Sequence, residues 1–193
     1  ILHCKVVRAD HLLRDSPSGP YCVAILDNGD IYVGAYDDCI YVFDTTGPLK
    51  KTIGCRGDSD VQFDYLFSMV IKENTLHVAD KGNNCIKRFT LEGTFIDKFL
   101  ANEAAGVLVD ENKRIFVSDC PGSKIHVFNP DGSNILTIDG SVTGDQRFKS
   151  PYGLAFDSMG NIHIAASDSN TIKVFTKEGV YIRKYGDLKG PRG

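Results

Sequence analysis

The residues best suited to chemistry in this sequence are basic, amide and aromatic side chains in short segments beside turn sequences. Basic groups next to aromatic rings can hold a phosphate backbone and stack bases, and the same residue types anchor protein partners. The candidates for partner binding are Tyr36, Arg56, Lys81, Asn83, Asn84, Lys124, Arg147, Phe148, Lys149 and Asn170. Acidic residues expected on the same side of the fold, such as Asp58 and Asp145, roughly cancel the basic charge, which weakens the attraction for RNA.

Catalytic motifs are missing from the sequence. It contains no Gly-x-Ser-x-Gly nucleophile elbow, no Gly-x-Gly-x-x-Gly loop and no Walker loop. Hydrolase chemistry of that type and nucleotide-dependent chemistry therefore have no motif to support them. We predict no catalytic residue, no metal site and no cofactor, and a chain that is not an enzyme.

Charge and cysteine content limit the class of protein. The 193 residues include 22 Lys and Arg against 25 Asp and Glu, so a net charge of -3 does not draw the chain to nucleic acid or to an anionic membrane. No apolar run approaches the roughly 18 residues of a membrane-spanning helix, and the first residues lack the features of a signal peptide. The six cysteines form no Cys-x-x-Cys pair, which favours reduced thiols over a disulfide or zinc framework. We expect a cytoplasmic protein without membrane contact.

The sequence repeats itself about every 44 residues. PYGLAFDSMGNIHIAASDSNTIKVF from Pro151 has the same frame as PYCVAILDNGDIYVGAYDDCIYVF from Pro20. The equivalent phenylalanines are spaced by 46, 39 and 47 residues, and they are Phe43, Phe89, Phe128 and Phe175. A repeat of this length indicates a chain built from one supersecondary unit used several times.

Each repeat predicts a small antiparallel sheet. Apolar residues alternate in short runs, as at Ile162 and Ile164, and turn sequences such as Pro130-Asp131-Gly132 separate the runs. No long stretch has the 3.6-residue period of a helix. Four strands every 40 to 50 residues are typical of a β-propeller blade, so we predict an all-β fold of four-stranded blades with almost no helix.

The repeats place the histidines in structural positions. His77 and His163 share a repeat position with Tyr32 and Phe116, which favours packing between blades over metal binding. The starts of the strands nearest the central channel carry aromatic residues in place of histidine, namely Tyr21, Tyr65 and Tyr152. One further position varies so widely that we expect it to be exposed, and it holds Tyr41, Lys87, His126 and Lys173.

The pattern PYGLAF, GNIHIA, NTIKVF and YIRKYG resembles the NHL repeat, and the resemblance covers residues 20–193. NHL propellers typically have six blades, so the resemblance implies a four-blade piece of a larger propeller. The boundaries it implies are 1–19 for the last strand of a preceding blade and its connector, then blades at 20–63, 64–103 and 104–150. The last segment, 151–193, is a blade followed by a connector to a missing blade. Family repeats pair an Asp with an Arg, and the residues facing Asp80 and Asp119 in this pattern are Cys85 and Lys124. We therefore expect that ion pair to be mostly lost.

The resemblance also implies what the protein does. The NHL domains of tripartite-motif (TRIM) proteins recognise macromolecules, which suggests protein or substrate recognition within a ubiquitin ligase whose RING domain is separate. One alternative is binding of single-stranded or hairpin RNA on the loop face, and another is an extracellular lyase-like or lactonase-like propeller. The expected partners are a protein or RNA, together with further blades or a second copy that would cover the exposed blade faces.

Overall fold

The chain folds into small antiparallel sheets, as its alternating apolar residues and tight turns predict. A computed structural model describes residues 19–186. The strand expected before the first blade, within residues 1–18, and the connector expected after the last blade, within residues 187–193, lie outside the described residues. The first two sheets contain β1 (Pro20–Ile25), β2 (Ile31–Ala35), β3 (Ile40–Phe43) and β4 (Leu49–Ile53), then β5 (Leu66–Lys72), β6 (Thr75–Asp80), β7 (Cys85–Thr90) and β8 (Phe95–Leu100). The next two contain β9 (Ala104–Val109), β10 (Ile115–Asp119), β11 (Lys124–Phe128) and β12 (Asn134–Asp139), then β13 (Pro151–Phe156), β14 (Ile162–Ala166), β15 (Thr171–Phe175) and β16 (Tyr181–Tyr185).

The sheets are arranged as four blades of a β-propeller, which we number 1 to 4 along the chain. In every blade each strand pairs antiparallel with the next strand in sequence. The first strands of successive blades contact one another, β1 with β5, β5 with β9, and β9 with β13, so these strands are the innermost. The only helical element in the part of the chain that the structure describes is the short 3-10 turn Ser167–Ser169. The predicted all-β propeller of four-stranded blades is therefore confirmed.

Acidic side chains close the hairpins between the first and second strands of blades 3 and 4. In blade 4, the Asp157 carboxylate accepts hydrogen bonds from the backbone N–H groups of Met159 and Asn161, at 2.9 and 2.8 Å. The side-chain amide of Asn161 and these backbone donors lower the pKa of Asp157 to about 2. Gly160 has a φ of 81°, a conformation that favours glycine. The presence of an aspartate at this position is thus explained by turn formation and requires no ligand.

The hydrophobic core consists of three layers, each between neighbouring blades. Leu76 and Phe89 of blade 2 pack with Tyr32 and Ile40 of blade 1, and similar layers join blade 2 to blade 3 and blade 3 to blade 4. Blades therefore stabilise one another in sequence, as in other repeat proteins. Among residues 19–186 there is no helix long and apolar enough to span a membrane.

The repeat position that we expected to be exposed is buried in two blades. The Lys87 and Lys173 side chains are almost fully buried. The Lys87 ammonium lies 2.8 Å from an Asp80 carboxylate oxygen, and both side chains are inaccessible to solvent. Asp80 is thus part of a buried ion pair, but its cation is Lys87, two residues further along the strand than Cys85. Cys85 is the direct partner of Asp80 in the sheet, and Lys87 lies two residues further along the same strand. Its long side chain extends back to the Asp80 carboxylate.

His77 is buried in blade 2, as its repeat position predicts, and its Nδ1 atom has no hydrogen-bond partner. Burial and the nearby Arg88 guanidinium lower the pKa of His77 to about 4, although Asp97 opposes the shift. An exposed histidine has a pKa of about 6.5. Between these values the unfolded chain binds the proton and the folded chain does not. The stability contributed by the neutral ring is therefore present above about pH 6.5 and is lost as the pH falls towards 4.

We expect the substitution His77→Phe to make the protein less sensitive to mild acid. Phenylalanine occupies the equivalent position 116 and cannot take up a proton. Between pH 7 and pH 5 the loss in free energy of unfolding should be smaller by about 2 kcal/mol in the variant than in the native chain. Urea unfolding at the two pH values measures this difference. An identical pH dependence in both proteins would show that His77 is not responsible.

Candidate partner-binding site

The loops after second strands and the connectors after fourth strands lie together on one side of the propeller, as predicted. Backbone hydrogen bonds join the two kinds of segment in three blades. These bonds are Gly82 N–H to Asp64 O at 2.7 Å, Gly140 N–H to Ser123 O at 2.8 Å, and Ser167 N–H to Ser150 O at 3.1 Å. Each first strand also begins on this side, because it follows directly from a connector. Residues at these strand starts can therefore meet the loops.

The aromatic residues at the strand starts are not aligned as the sequence suggested. Each first strand is entered through a residue in the left-handed region, and these residues are Gly19, Tyr65, Glu103 and Ser150. The next residue pairs with the end of the second strand, as Leu66 does with Asp80 and Pro151 with Ala166. The residue equivalent to Tyr21 and Tyr152 is therefore Phe67, and Tyr65 lies two residues earlier.

Five aromatic rings surround the start of the central channel, and we call this group the aromatic mouth. It consists of Tyr21, Tyr36, Tyr65, Phe67 and Tyr152. The Tyr21 ring contacts Tyr36 and Phe67 edge-on, with ring centroids 5.0 and 4.8 Å apart. Tyr65 packs perpendicular to Phe67 at 5.6 Å, and Phe67 stacks on Tyr152 at the same distance. The rings form one connected surface drawn from blades 1, 2 and 4.

Blade 3 contributes a small residue at the same place. Ala105 is buried at the position of Tyr21, Phe67 and Tyr152, so no blade 3 ring separates Phe67 from Tyr152. Below the rings a cavity of about 460 Å³ is lined by the four first strands, at residues 21–23, 67–70, 106–108 and 152–154. The mouth thus leads into an open space between the blades.

Solvent reaches the mouth from the loop side. Tyr36 is 54% exposed and Tyr65 is 43% exposed, whereas Tyr21, Phe67 and Tyr152 are partly buried. Burial and the neighbouring tyrosines raise the pKa of Tyr21, so its hydroxyl stays protonated at neutral pH. An arriving group would meet exposed rings at the rim and then partly buried rings in the channel.

Lys81 is the cation closest to these rings. Its ammonium lies 5.4 Å from the centroid of Tyr65 and 5.5 Å from that of Phe67, within the range of cation–π attraction. Glu103 lies 3.5 Å from the same ammonium. The predicted candidate Lys81 therefore lies against the aromatic mouth, and its ammonium is paired with a carboxylate.

Arg56 lies beside Tyr36 on the rim and is also paired. Its Nε atom donates to Asp38 at 2.8 Å, and this contact raises the pKa of the guanidinium. The other oxygen of the Asp38 carboxylate accepts the N–H of Leu66 at 3.0 Å, which ties blade 1 to blade 2. The Arg56 side chain itself is 72% exposed. Tyr36, Arg56 and Lys81 are the sequence candidates that the structure brings together.

The two asparagine candidates of blade 2 shape the loop. The Asn83 amide donates to Asp80 at 2.8 Å and to the carbonyl of Gly57 at 2.9 Å. Asn84 adopts a left-handed backbone conformation, and its side-chain oxygen accepts the N–H of Glu103 at 3.0 Å. Both side chains hold connectors in place, next to the mouth.

The remaining candidates lie in blades 3 and 4, away from the rings. Lys124 is half-buried at the start of β11, while Arg147 and Lys149 are exposed in the connector to blade 4. Asn170 is exposed in a left-handed conformation that ends the 3-10 turn. Phe148 is completely buried in the layer between blades 3 and 4, with its ring 5.8 Å from Phe175. Its ring is therefore unavailable for stacking on a partner.

Sequence reasoning did not assign Tyr21, Phe67 and Tyr152 to the binding surface. The available signal was an aromatic residue at the start of three of the four first strands. Within residues 19–186 there is no group of three or more His, Cys, Asp or Glu side chains arranged to hold a metal ion.

Comparisons with known proteins agree on the fold. No protein-family model and no curated protein sequence matches the chain. A solved streptogramin B lyase has a TM-score of 0.73 and 16% identity, over 91% of this chain and 57% of the lyase. Catalytically inactive virginiamycin B lyase from Staphylococcus aureus, solved with quinupristin, has a TM-score of 0.70 and 16% identity, over 90% and 57% of the two chains.

A third solved structure, a protein of unknown function from Bacteroides caccae, has a TM-score of 0.67 and 15% identity, over 86% of this chain and 60% of that protein. The chain thus spans less than two thirds of the length of each of these structures. At identities of 15% and 16% the likeness is one of fold. Together with the four blades, the comparisons show that this chain has a β-propeller fold.

Proposed function

We propose that the chain is a macromolecule-recognition module that binds a segment of a protein partner at the aromatic mouth. The observation that carries the proposal is the connected set of five rings at the opening of a 460 Å³ cavity. Tyrosine is enriched among the residues that dominate binding energy at protein interfaces, because its ring buries a large area and loses little conformational entropy. A hydrophobic or aromatic side chain of the partner would enter between the rings.

The charges around the mouth favour a protein over RNA. Lys81 is balanced by Glu103, and Arg56 is balanced by Asp38. Binding of a nucleic-acid backbone gains most of its affinity from unpaired cations that replace counterions. RNA is the second candidate, because the exposed Tyr36 and Tyr65 rings could stack bases with Lys81 beside them.

The proposal also includes the kind of protein to which this propeller belongs. The repeat pattern supports an NHL-type propeller, and with it a TRIM-type ubiquitin ligase in which this domain selects the substrate. The likeness to streptogramin B lyase supports a common fold, and a lyase reaction remains an alternative without assigned residues in this chain. The proposed module has no catalytic role of its own.

Substituting the exposed rings tests the proposal. Peptides selected from a random display library against the chain should bind Tyr36→Ala and Tyr65→Ala at least about tenfold more weakly, as expected for aromatic anchors. Fluorescence anisotropy of labelled peptides measures the affinities. Met159→Ala is the matched control, because this side chain is 85% exposed and lies in a hairpin turn on the opposite side.

Two outcomes would contradict protein recognition at the mouth. One is peptide binding that is unchanged in both tyrosine variants. The other is a failure to select peptides while labelled random single-stranded RNA binds, with an affinity that falls with salt and in Lys81→Gln. The second outcome would establish the RNA alternative instead.

A further inference from the structure

One position in the third strand of every blade carries a buried or half-buried polar group. The group that this side chain contacts differs between blade 4 and the other three blades. The position is Tyr41, Lys87, His126 and Lys173 in blades 1 to 4. In the first three blades the polar group contacts a carboxylate. The pairs are Tyr41 with Asp37 at 2.7 Å, Lys87 with Asp80 at 2.8 Å, and His126 with Asp119 at 3.5 Å.

Blade 4 has the lysine but lacks a carboxylate at the position of Asp80 and Asp119, and the loop carboxylate of Asp168 accepts a hydrogen bond from the Ser150 hydroxyl at 2.5 Å. The residue equivalent to Asp80 is Ala166, since each pairs with the first residue of its blade's inner strand. Lys173 is 4% exposed, and its ammonium donates to the backbone carbonyl of Asp145 at 2.5 Å. No carboxylate of residues 19–186 lies within ion-pair distance of this ammonium. A buried cation in this position carries a large desolvation cost.

Asp80 also accepts a hydrogen bond from the connector backbone, and in blade 4 a neutral side chain accepts the equivalent hydrogen bond. In blade 2 the Asp80 carboxylate accepts the N–H of Asp64 at 2.8 Å. In blade 4 the hydroxyl of Ser169 accepts the equivalent N–H, that of Lys149, at 3.0 Å. This N–H of the connector is therefore satisfied, while the Lys173 ammonium has no carboxylate within ion-pair distance.

A cavity of about 570 Å³ lies beside Lys173, between the connector 140–150 and the outer strands of blade 4. Its polar lining comprises Asp145, Arg147, Ser169, Thr171, Lys173 and Lys184. Three of these side chains are cations and one is a carboxylate. That carboxylate, of Asp145, contacts Lys184 at 2.5 Å. The lining therefore has an excess of positive charge.

The cavity also contains an unused buried donor. Thr171 is 8% exposed, and its buried hydroxyl oxygen has no hydrogen-bond partner. In native proteins buried hydroxyl groups are nearly always bonded, so an isolated one needs an explanation. Lys173 and Thr171 lie on the same strand with one residue between them, and both line the cavity. Both residues therefore border the same cavity, Lys173 with its ammonium and Thr171 with a buried, unpartnered hydroxyl.

We propose that this cavity is a binding site for a small oxyanion, specifically a phosphate group. The anion would accept hydrogen bonds from Lys173 and Thr171, with the exposed Arg147 guanidinium at the entrance. Charge-assisted bonds of this kind are about twice as strong as neutral ones. A dianion matches three cations and one carboxylate better than a monoanion does. The anion plays the part that the Asp80 carboxylate plays in blade 2.

The site is distinct from the aromatic mouth, because neither Lys81 nor any of the five aromatic residues lines it. Its test is therefore independent of the proposed recognition function. Titration calorimetry of the chain with inorganic phosphate, in buffers matched in ionic strength with chloride, measures binding directly. We expect saturable binding at one site.

Three variants of the chain identify the site. Lys173→Met should weaken phosphate binding at least about tenfold, and Thr171→Val should weaken it several-fold, because each removes a donor to a charged acceptor. Ala166→Asp should abolish binding, because it places a carboxylate where Asp80 stands in blade 2. The control Lys113→Met removes a lysine that is paired with Glu73 far from this cavity, and should leave the affinity unchanged.

Ala166→Asp gives a second readout that does not depend on the ligand. If Lys173 lacks only a carboxylate, the variant should melt at a higher temperature than the native chain in phosphate-free buffer, and phosphate should stabilise only the native chain. The proposal is overturned if phosphate does not bind, or if Lys173→Met and Ala166→Asp bind it as tightly as the native chain. If Lys173→Met does not fold, Thr171→Val and Ala166→Asp decide the question.

Discussion

Replacing Asp80 by alanine is expected to lower the free energy of unfolding by about 3–5 kcal/mol. The carboxylate lies 2.8 Å from the Lys87 ammonium, and both side chains are inaccessible to solvent. It also accepts the N–H of Asp64 and the side-chain amide of Asn83, both at 2.8 Å. Removing it leaves a buried cation without its counter-charge and two donors without acceptors. Chemical denaturation followed by tyrosine fluorescence measures the loss.

A double-mutant cycle separates the pair from its surroundings. Lys87 also donates to the carbonyls of Ser59 and Gln62, at 2.8 and 2.5 Å, so Lys87→Met should destabilise the connector as well. The double variant Asp80→Ala with Lys87→Met should be less destabilised than the sum of the single variants, because it contains no unpaired buried charge.

An exposed ion pair provides the control for Asp80. Lys113 lies 2.8 Å from Glu73, with both side chains more than half exposed. Lys113→Met should change stability by at most about 1 kcal/mol. A loss of similar size for Asp80→Ala would contradict the role that we assign to the buried pair.

Phe148→Ala is expected to cost about 3–5 kcal/mol of stability, as for other fully buried phenylalanines. The Phe148 ring fills the layer between blades 3 and 4, where it meets Phe175 edge-on. It also covers Gly140, at which a methyl group would overlap the ring. The connector between blades 1 and 2 has the same arrangement, with Phe63 beside Gly54 and edge-on to Phe89. Alanine would leave a cavity at the point where the connector closes over the core.

The residues on either side of Phe148 provide matched controls. Arg147 and Lys149 are exposed, so Arg147→Ala and Lys149→Ala should change stability by about 0.5 kcal/mol or less. Thermal or urea unfolding of the three variants measures this contrast. A Phe148→Ala variant as stable as its neighbours would show that the ring does not support the core.

The aromatic mouth is a property of the assembled blades. Its rings come from three blades, and each ring contacts at least one ring from another blade or loop. Ser118 joins blade 3 to blade 4 below the mouth, by donating to the carbonyl of Tyr152 at 2.8 Å and accepting the N–H of Gly106 at 2.6 Å. Packing between blades therefore determines how the rings are spaced.

The sequence by itself determined the fold class of this protein. The alternation of apolar residues, the turn sequences and the repeat of about 44 residues act over short distances along the chain, so they predict four-stranded blades without knowledge of tertiary contacts. The same local pattern correctly placed the second-strand loops and the connectors on one side. It also identified Tyr36, Arg56 and Lys81, which the structure brings together.

Only the tertiary structure decided which side chains face solvent and which face each other. The pairing register shifts near the start of every first strand, for example between Leu66 and Ser68, so alternation alone could not show that Phe67 is the equivalent of Tyr21. Lys87 is buried because connector carbonyls 59 and 62 fold back to accept its hydrogen bonds. Phe148 is buried because its connector closes over the core. These contacts join residues more than 20 positions apart, and a local sequence pattern contains no information about such contacts.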